Sequence, residues 1–404
     1  MIASSTWSRE RLDRLGPRGR PALKSGPFGS SLTKASYVDK GYKVYGQQEV
    51  LTRSLEATAY LISERSFRSH ERCAVEPGDV LITTMGTLGR TFVVPEGAPA
   101  GIINPRLIRI AVDTSRVDPN YLDAFLSSPQ AQTSLARSAH GGTMSGLNSR
   151  TLGALLVPLP SLSEQRKIAE VLRSWDQAIE ACTGLATTRR RKLQSWSDSA
   201  FRATRNSQVH PMRLGDLFDE RTETTSSSLP LLSVTQQNGV VRQDAAGRKD
   251  SSSSDRSRYK RVRPGDVAYN TMRMWQGASG LVTEEGIVSP AYTVVTPRTN
   301  LIDPHYAVSL FKDGRMKFDF ERYSQGLTSD TWNLKFPAFA EIAVSIPALD
   351  IQRRFATYLQ SANTELALIN REIALLKQQK RGLMQKLLTG DIRVYVDSTE
   401  EAHP

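Results

Sequence analysis

Residues 76–80 read Glu-Pro-Gly-Asp-Val, and residues 263–267 read Arg-Pro-Gly-Asp-Val, 187 positions later. Thr84-Met85 recurs as Thr271-Met272 at the same offset, and Asp118-Pro119-Asn120-Tyr121 recurs as Asp303-Pro304-His305-Tyr306 at 185. Leu159-Pro160-Ser161-Leu162 with Gln165-Arg166 recurs as Ile346-Pro347-Ala348-Leu349 with Gln352-Arg353, again at 187. Any one match this short would be chance; four in the same order make the chain a tandem duplication. At 404 residues it holds more than one core, and the repeat says those cores share one plan.

Each unit opens with short apolar runs punctuated by Gly, Pro and Asn, the pattern of strands joined by loops. Val80-Leu81-Ile82, Thr91-Phe92-Val93-Val94 and Leu107-Ile108-Arg109-Ile110 are the clearest in the first unit. Val267-Ala268-Tyr269 and Tyr292-Thr293-Val294-Val295 are their counterparts in the second. A short helix is expected after each Asp-Pro, over Tyr121–Leu126 and Tyr306–Phe311. Each unit then closes with a long helix.

In the first long helix, Ile168, Leu172, Trp175, Ile179, Cys182, Ala186, Arg189, Leu193, Trp196 and Ala200 alternate spacings of four and three. Phe355, Leu359, Ala362, Leu366, Ile369, Ile373, Leu376, Lys380, Leu383 and Leu387 do the same, each 187 positions on. A sustained 3.5-residue period marks a coiled-coil seam. Helices of about 37–40 residues would span roughly 55–60 Å, too long for one small domain. The expected fold class is α+β: a tandem duplication of two α/β heads, each followed by a long helix, the two helices forming an antiparallel coiled coil. The boundaries are a first head over 1–160, a central helical spacer over 161–208, a second head over 209–347, a distal helical spacer over 348–390 and an acidic tail over 391–404, expected to fray. Residues 251–255 (Ser-Ser-Ser-Ser-Asp) read as a polar low-complexity loop.

Lys and Arg number 53 against 41 Asp and Glu, a net charge of +12, which points to a polyanionic partner. The excess is uneven: residues 1–160 carry 19 basic against 13 acidic residues, whereas 211–350 carry 17 of each. Cys73 and Cys182 lie far apart without a Cys or His at metal-ligand spacing, so both are expected to be structural and no metal is expected. No stretch approaches the roughly 20 apolar residues of a membrane span, and residues 1–12 lack a signal-peptide core, so a cytoplasmic location is expected.

Catalytic patterns fail one by one. Ser289-Pro290-Ala291-Tyr292 superficially resembles the Pro-Pro-aromatic loop of amino-methyltransferases, but its repeat partner is Asn104-Pro105-Arg106-Leu107, so both read as a turn before a strand. The segment from Gly19 to Ser25 lacks the Gly before Lys24 that a phosphate loop requires. Asp79 and Asp266 follow Pro-Gly without a nearby Glu-x-Lys and read as turn aspartates. The five histidines are scattered. No enzyme is expected on this chain.

The order head, long helix, head, long helix resembles the specificity subunit of type I restriction–modification systems. The stretches that carry the resemblance are Gly26-Pro27-Phe28-Gly29-Ser30-Ser31-Leu32, Leu231-Leu232-Ser233-Val234-Thr235-Gln236-Gln237-Asn238-Gly239-Val240, the Pro-x-Leu-x-x-Gln-Arg entry to each long helix, and Leu383-Met384-Gln385-Lys386-Leu387-Leu388-Thr389-Gly390. The resemblance covers residues 20–395. The first helix departs from the pattern, ending in Ser195-Trp196-Ser197-Asp198-Ser199-Ala200-Phe201. The resemblance implies two target-recognition domains, each reading one half of a split, asymmetric site in double-stranded DNA. It also implies two methyltransferase subunits that bring S-adenosylmethionine, and motor-nuclease restriction subunits that use ATP and Mg, with no cofactor on this chain. Two other readings stand beside it: a two-headed protein-binding scaffold, and a fragment of a bifunctional restriction enzyme.

Base reading needs Arg, Lys, Asn, Gln, Ser or Thr on exposed loops. In the first head the candidates are Ser30, Ser31 and Lys34; Gln47 and Gln48; and His140, Gly141, Gly142, Thr143 and Asn148. In the second they are Gln236, Gln237 and Asn238; Asn270, Thr271, Arg273 and Gln276; and Ser324, Gln325, Thr328 and Asn333. Arg256, Arg258, Lys260 and Arg261 form a dense basic cluster suited to phosphates, and Arg189-Arg190-Arg191-Lys192 suits a partner or phosphate.

Overall fold

The run Val80-Leu81-Ile82 becomes the strand Val80–Thr83, every residue of it buried, and its side chains divide between two cores. In this computed structural model, which describes residues 7–27, 32–140, 146–206, 211–225, 229–244, 256–328 and 330–395, Val80 and Ile82 face one apolar cluster and Leu81 faces another. Alternation of faces along a strand puts both faces of the sheet in contact with apolar material, so the run is apolar throughout rather than every second residue. The repeat does the same: Val267 and Tyr269 belong to one cluster, Ala268 to the other.

The chain divides into two compact units: residues 1–183 with 371–404, and residues 184–370. In the first, an antiparallel four-stranded sheet runs in the order Leu23–Ser25, Leu107–Ile110, Val80–Thr83, Thr91–Val93. A five-stranded sheet has the order Tyr37–Val38, Leu61–Ile62, Tyr42–Tyr45, Gly101–Ile103, Ala74–Val75, with Tyr42–Tyr45 and Gly101–Ile103 parallel. In the second unit the four-stranded sheet is Phe218–Glu220, Tyr292–Pro297, Val267–Asn270, Ser279–Leu281, in the same antiparallel order. Its other sheet has four strands, Gly239–Arg242, Leu231–Thr235, Gly286–Val288, Lys260–Val262, and repeats the one parallel pair. The duplicated scaffold expected from the repeat is present, and the heads diverge where a strand pair in one is replaced by a hairpin in the other.

The Pro-Gly-Asp repeat is a turn that needs its glycine. Gly78 and Gly265 sit at φ 84° and 95°, a region that side chains with a Cβ rarely enter. The helices after Asp-Pro run over Pro119–Leu126 and Pro304–Leu310. Asp118 accepts from the N–H groups of Asn120 and Tyr121, and Asp303 from His305 and Tyr306, while the proline occupies a first-turn position where no N–H is required.

The long helices extend over Leu162–Asn206 and Leu349–Thr389, 45 and 41 residues. The first therefore passes straight through the irregular Ser-Trp-Ser-Asp-Ser ending. Within the first unit the two run antiparallel, Asp176 meeting Lys380 at 2.5 Å and Glu164 meeting Arg393 at 2.8 Å. Within the second, Arg189 meets Glu365 at 3.3 Å, and farther along Trp196 stacks on Phe355 with ring centroids 4.9 Å apart. The seam positions are buried or half-buried except Arg189 and Trp196, which these contacts occupy. In the tail, the Arg393 guanidinium also lies over the Trp7 ring, 5.2 Å from its centroid. Residues 396–404 and the Ser251–Asp255 loop lie outside the described residues.

The Gln of each Pro-x-Leu-x-x-Gln-Arg motif fastens a long helix to its head. Gln165 is buried; its Oε1 accepts from Asp118 N–H at 2.9 Å and its Nε2 donates to the carbonyls of Arg116 and Pro160, both at 3.0 Å. Gln352 repeats the set with Asp303 N–H at 2.9 Å, Leu301 at 3.0 Å and Pro347 at 2.8 Å. A Leu at 165 would keep the volume and leave a donor and two acceptors buried without partners. Gln165→Leu is expected to lower stability by roughly 2–4 kcal/mol, read as a lower urea midpoint. Arg166→Ala, next to it and exposed, should change stability by no more than about 0.5 kcal/mol.

Candidate nucleic-acid interface

In the first head Gln47 and Gln48 open the helix Gln47–Thr52, whose first turn is held by Glu49 accepting from Gly46 N–H at 2.9 Å. Glu49 is itself buried and paired with Lys43 at 3.1 Å, so the helix start is fixed to the strand Tyr42–Tyr45 beneath it. Gln48 is exposed. Gln47 donates through Nε2 to the Met85 carbonyl at 2.6 Å and accepts from Arg106 at 3.4 Å. That contact joins the Gln47 loop to the loop after Val80–Thr83 and to an exposed arginine. Asn148 is exposed and caps the helix Ser149–Gly153, its Oδ1 accepting from Thr151 N–H at 2.9 Å. Ser30, Ser31, Gly141, Gly142 and Thr143 lie outside the described residues, as do the side chains of Lys34 and His140.

In the second head Gln236, Gln237 and Asn238 form the exposed tip of the hairpin between Leu231–Thr235 and Gly239–Arg242. Gln236 reaches the Gln276 carbonyl at 3.3 Å, which joins this tip to the loop carrying Asn270, exposed Arg273 and Gln276. Trp275 in that loop meets Trp332 edge to face, centroids 5.3 Å apart, adding the segment that holds Gln325, Thr328 and Asn333. Gln325 and Asn333 are bridged backbone to backbone at 2.8 and 3.1 Å, with Thr328 exposed between them. Three separated sequence segments thus converge. Thr271 is the exception: it is buried and its hydroxyl donates to the Ala291 carbonyl at 2.8 Å, so it supports the surface from below.

The basic cluster is less available than its composition suggests. Arg261 pairs with Glu285 and, at 2.9 Å, with Glu223, and these carboxylates hold its guanidinium pKa above the ordinary value. Lys260 lies 3.8 Å from Glu220, and Arg258 is exposed. Carboxylates from elsewhere in the head already offset Lys260 and Arg261, which local composition could not show.

The turn aspartates are buried ion-pair partners. Asp79 binds Arg20 through both oxygens at 2.8 Å, and Asp266 binds Arg221 at 2.8 and 3.1 Å. Each also accepts a backbone N–H of its own turn, from Glu76 at 2.7 Å and Arg263 at 2.8 Å. Burial pushes the Asp79 carboxyl above its ordinary value while Arg20 draws it down. These groups hold the turn shut.

Residues 30–187 match the sequence profile of the type I restriction modification DNA specificity domain. The type I restriction enzyme EcoBI specificity subunit of Escherichia coli is 33% identical over 145 residues, 35% of this chain and 30% of that subunit, so the match spans less than a third of the relative. The fold of the whole chain is similar to that of solved specificity subunits. An S subunit of a type I restriction–modification system from M. genitalium superposes with a TM-score of 0.58 at 14% identity, covering 96% of this chain and 97% of that one. The HsdS subunit from Thermoanaerobacter tengcongensis gives 0.50 at 16%, covering 97% and 99%. A chain from a structure concerned with assembly and conformational transition of the type I R-M system gives 0.59 at 16%, covering 97% and 100%. Beside Gln47 in the first head lie two exposed residues that sequence reasoning passed over: Arg106, dismissed with its turn, and Met85. Their signal was position, beside Gln47 in space, and spacing alone did not carry it. No helix among the described residues is long and apolar enough to cross a membrane.

Proposed function

We propose that this chain is the DNA-reading subunit of a type I restriction–modification assembly, each head reading its own short element of a split, asymmetric site. The observation that carries the proposal is one scaffold with two unlike surfaces. A matching four-stranded sheet, the same turns and the same buried Gln clamps hold polar loops that differ in nearly every letter. A duplicated protein with a shared framework and divergent exposed hydrogen-bonding groups suits readout of two different base sequences. The readers are Ser30, Ser31, Lys34, Gln47, Gln48, His140, Gly142, Thr143 and Asn148 in the first head, joined by Arg106. In the second they are Gln236, Gln237, Asn270, Arg273, Gln276, Gln325, Thr328 and Asn333, with Arg256 and Arg258 toward phosphates. The chain carries no catalytic step; S-adenosylmethionine, ATP and Mg belong to methyltransferase and motor-nuclease subunits that dock on it, in the cytoplasm.

Binding of the full chain to a duplex, titrated by fluorescence anisotropy from 50 to 200 mM salt, tests this reading. Affinity is expected to fall about a thousandfold or more, with a linear log–log slope, because phosphate contacts release counterions. A chain that ignores duplex DNA at 50 mM salt would instead support the protein-binding scaffold.

A further inference from the structure

The repeated Thr-Met has no place in polar readout, yet both heads keep it and both hold it in the same way. Thr84 is buried and donates its N–H and hydroxyl to the Arg106 carbonyl, each at 3.0 Å, while its own carbonyl accepts from Leu147 N–H at 3.0 Å. Thr271 is buried, donates its hydroxyl to the Ala291 carbonyl at 2.8 Å, and accepts from Leu334 N–H at 2.9 Å. Each Thr is thus locked from two sides, and each fixes the start of the residue that follows. That residue is a methionine 52% exposed at 85 and 45% exposed at 272. Met274, two positions on, is wholly buried, so the second loop places one methionine in the core and the other in solvent.

The surroundings say what the exposed pair faces. The Met85 carbonyl takes the Gln47 amide and Arg106 lies beside it; Met272 accepts through its carbonyl from the Trp275 indole at 3.2 Å and is flanked by Asn270 and Arg273. From residue 86 on the loops diverge, Gly-Thr-Leu-Gly against Arg-Met-Trp-Gln, while the methionine stays. An apolar side chain held in water amid hydrogen-bonding groups is unfavourable in the free protein. Its retention in two heads with unlike polar loops fits a contact that both heads make irrespective of base sequence. Methionine is unbranched and polarisable, adapts to irregular apolar surfaces, and is among the side chains that enter the grooves of duplexes.

We propose that Met85 and Met272 are sequence-independent apolar contacts to duplex DNA, one in each head, entering the groove among the polar readers. This rests on the DNA-reading proposal above and extends it to residues that carry no hydrogen-bonding information.

The test uses the full chain and a mixed-sequence duplex of about 30 bp, long enough for several helical turns. Met85→Ala and Met272→Ala are each expected to weaken binding about fivefold, the size of losing a half-exposed apolar side chain from an interface. The salt slope should not change, since no phosphate contact is removed. Met→Leu at either position should retain wild-type affinity, and melting temperatures should stay constant because both side chains are exposed. A diazirine analogue of methionine at 85 or 272 should crosslink to the duplex. Alanine variants that bind like wild type without crosslinking overturn the inference while leaving DNA reading intact, and a reduced salt slope overturns it as well. A wild-type chain that does not bind the duplex at all defeats both.

Discussion

Leu387→Asp is expected to unfold the first head, although residue 387 lies at the far end of the second long helix. Met384, Leu387 and Leu388 belong to the same buried cluster as Ile82, Tyr121, Leu126 and Leu172. Leu387 is 2% exposed, so truncating it to Ala alone would cost about 2–5 kcal/mol. A carboxylate there adds the penalty of an uncompensated buried charge, several kcal/mol more. The total is comparable with the roughly 5–15 kcal/mol that holds a domain together. Hydrogen exchange should show protection lost in Val80–Thr83 and Pro119–Leu126 and retained in Val267–Asn270 and Tyr292–Pro297, which lie in the other unit. The unlike ending of the first helix has its own task there. Phe201 is buried and packs against Phe355 and Tyr306, with centroids 4.9 and 5.8 Å away. Equal loss of protection in both units, or none, would contradict the assignment of the C-terminal helix end to the first core.

The second large effect falls on the Pro-Gly-Asp turn. Asp79→Leu is expected to destabilise the first head by about 3–5 kcal/mol, the range for removing one partner of a buried ion pair. Arg20 would be left with only Glu76, an exposed carboxylate 3.0 Å away, and Arg109, 2% exposed, would lose the charge that most favours its cation. Arg109 already has its pKa lowered by desolvation and then by the Arg20 charge. Its guanidinium donates to the carbonyls of Ala74 and Pro21 at 3.1 and 3.2 Å, which do not neutralise it. Adding Arg20→Met to Asp79→Leu removes the cation that has lost its buried partner and keeps only the exposed Glu76 carboxylate, so the double variant should be more stable than the single one. Denaturant midpoints of the four proteins in the cycle give the coupling. A single variant within about 0.5 kcal/mol of wild type would mean that the pair does not hold the turn.

The duplication, the fold class and the helical seam were legible because they are carried by spacing along the chain. Pro77 with Pro264, and Ile168 with Phe355, keep their intervals whatever surrounds them. The buried glutamines were legible as a motif but not as a clamp, since Gln165 binds Asp118 and Arg116, nearly fifty residues away. The ending of the first helix reads as a departure because Trp196 and Phe201 stand where the second has leucines. Their partners, Phe355, Tyr358 and Tyr306, come from more than a hundred residues later. The site was the least legible part, for a physical reason. An exposed amide that caps a helix and one that waits for a base are the same residue type, and Asn148 has the first role in the structure. Lys260 and Arg261 read as free cations until folding brings Glu220, Glu223 and Glu285 to them.

Selection of bound duplexes from a randomised library by the full chain, followed by sequencing, tests the two-reader account most directly. Two independent heads with unlike loops should enrich two unlike short elements separated by a gap of fixed length and free sequence. Exchanging residues 209–347 for the equivalent head of another member should then replace one element and leave the other. Enrichment of a single contiguous element, of an inverted repeat, or of two elements that change together on exchange would contradict it.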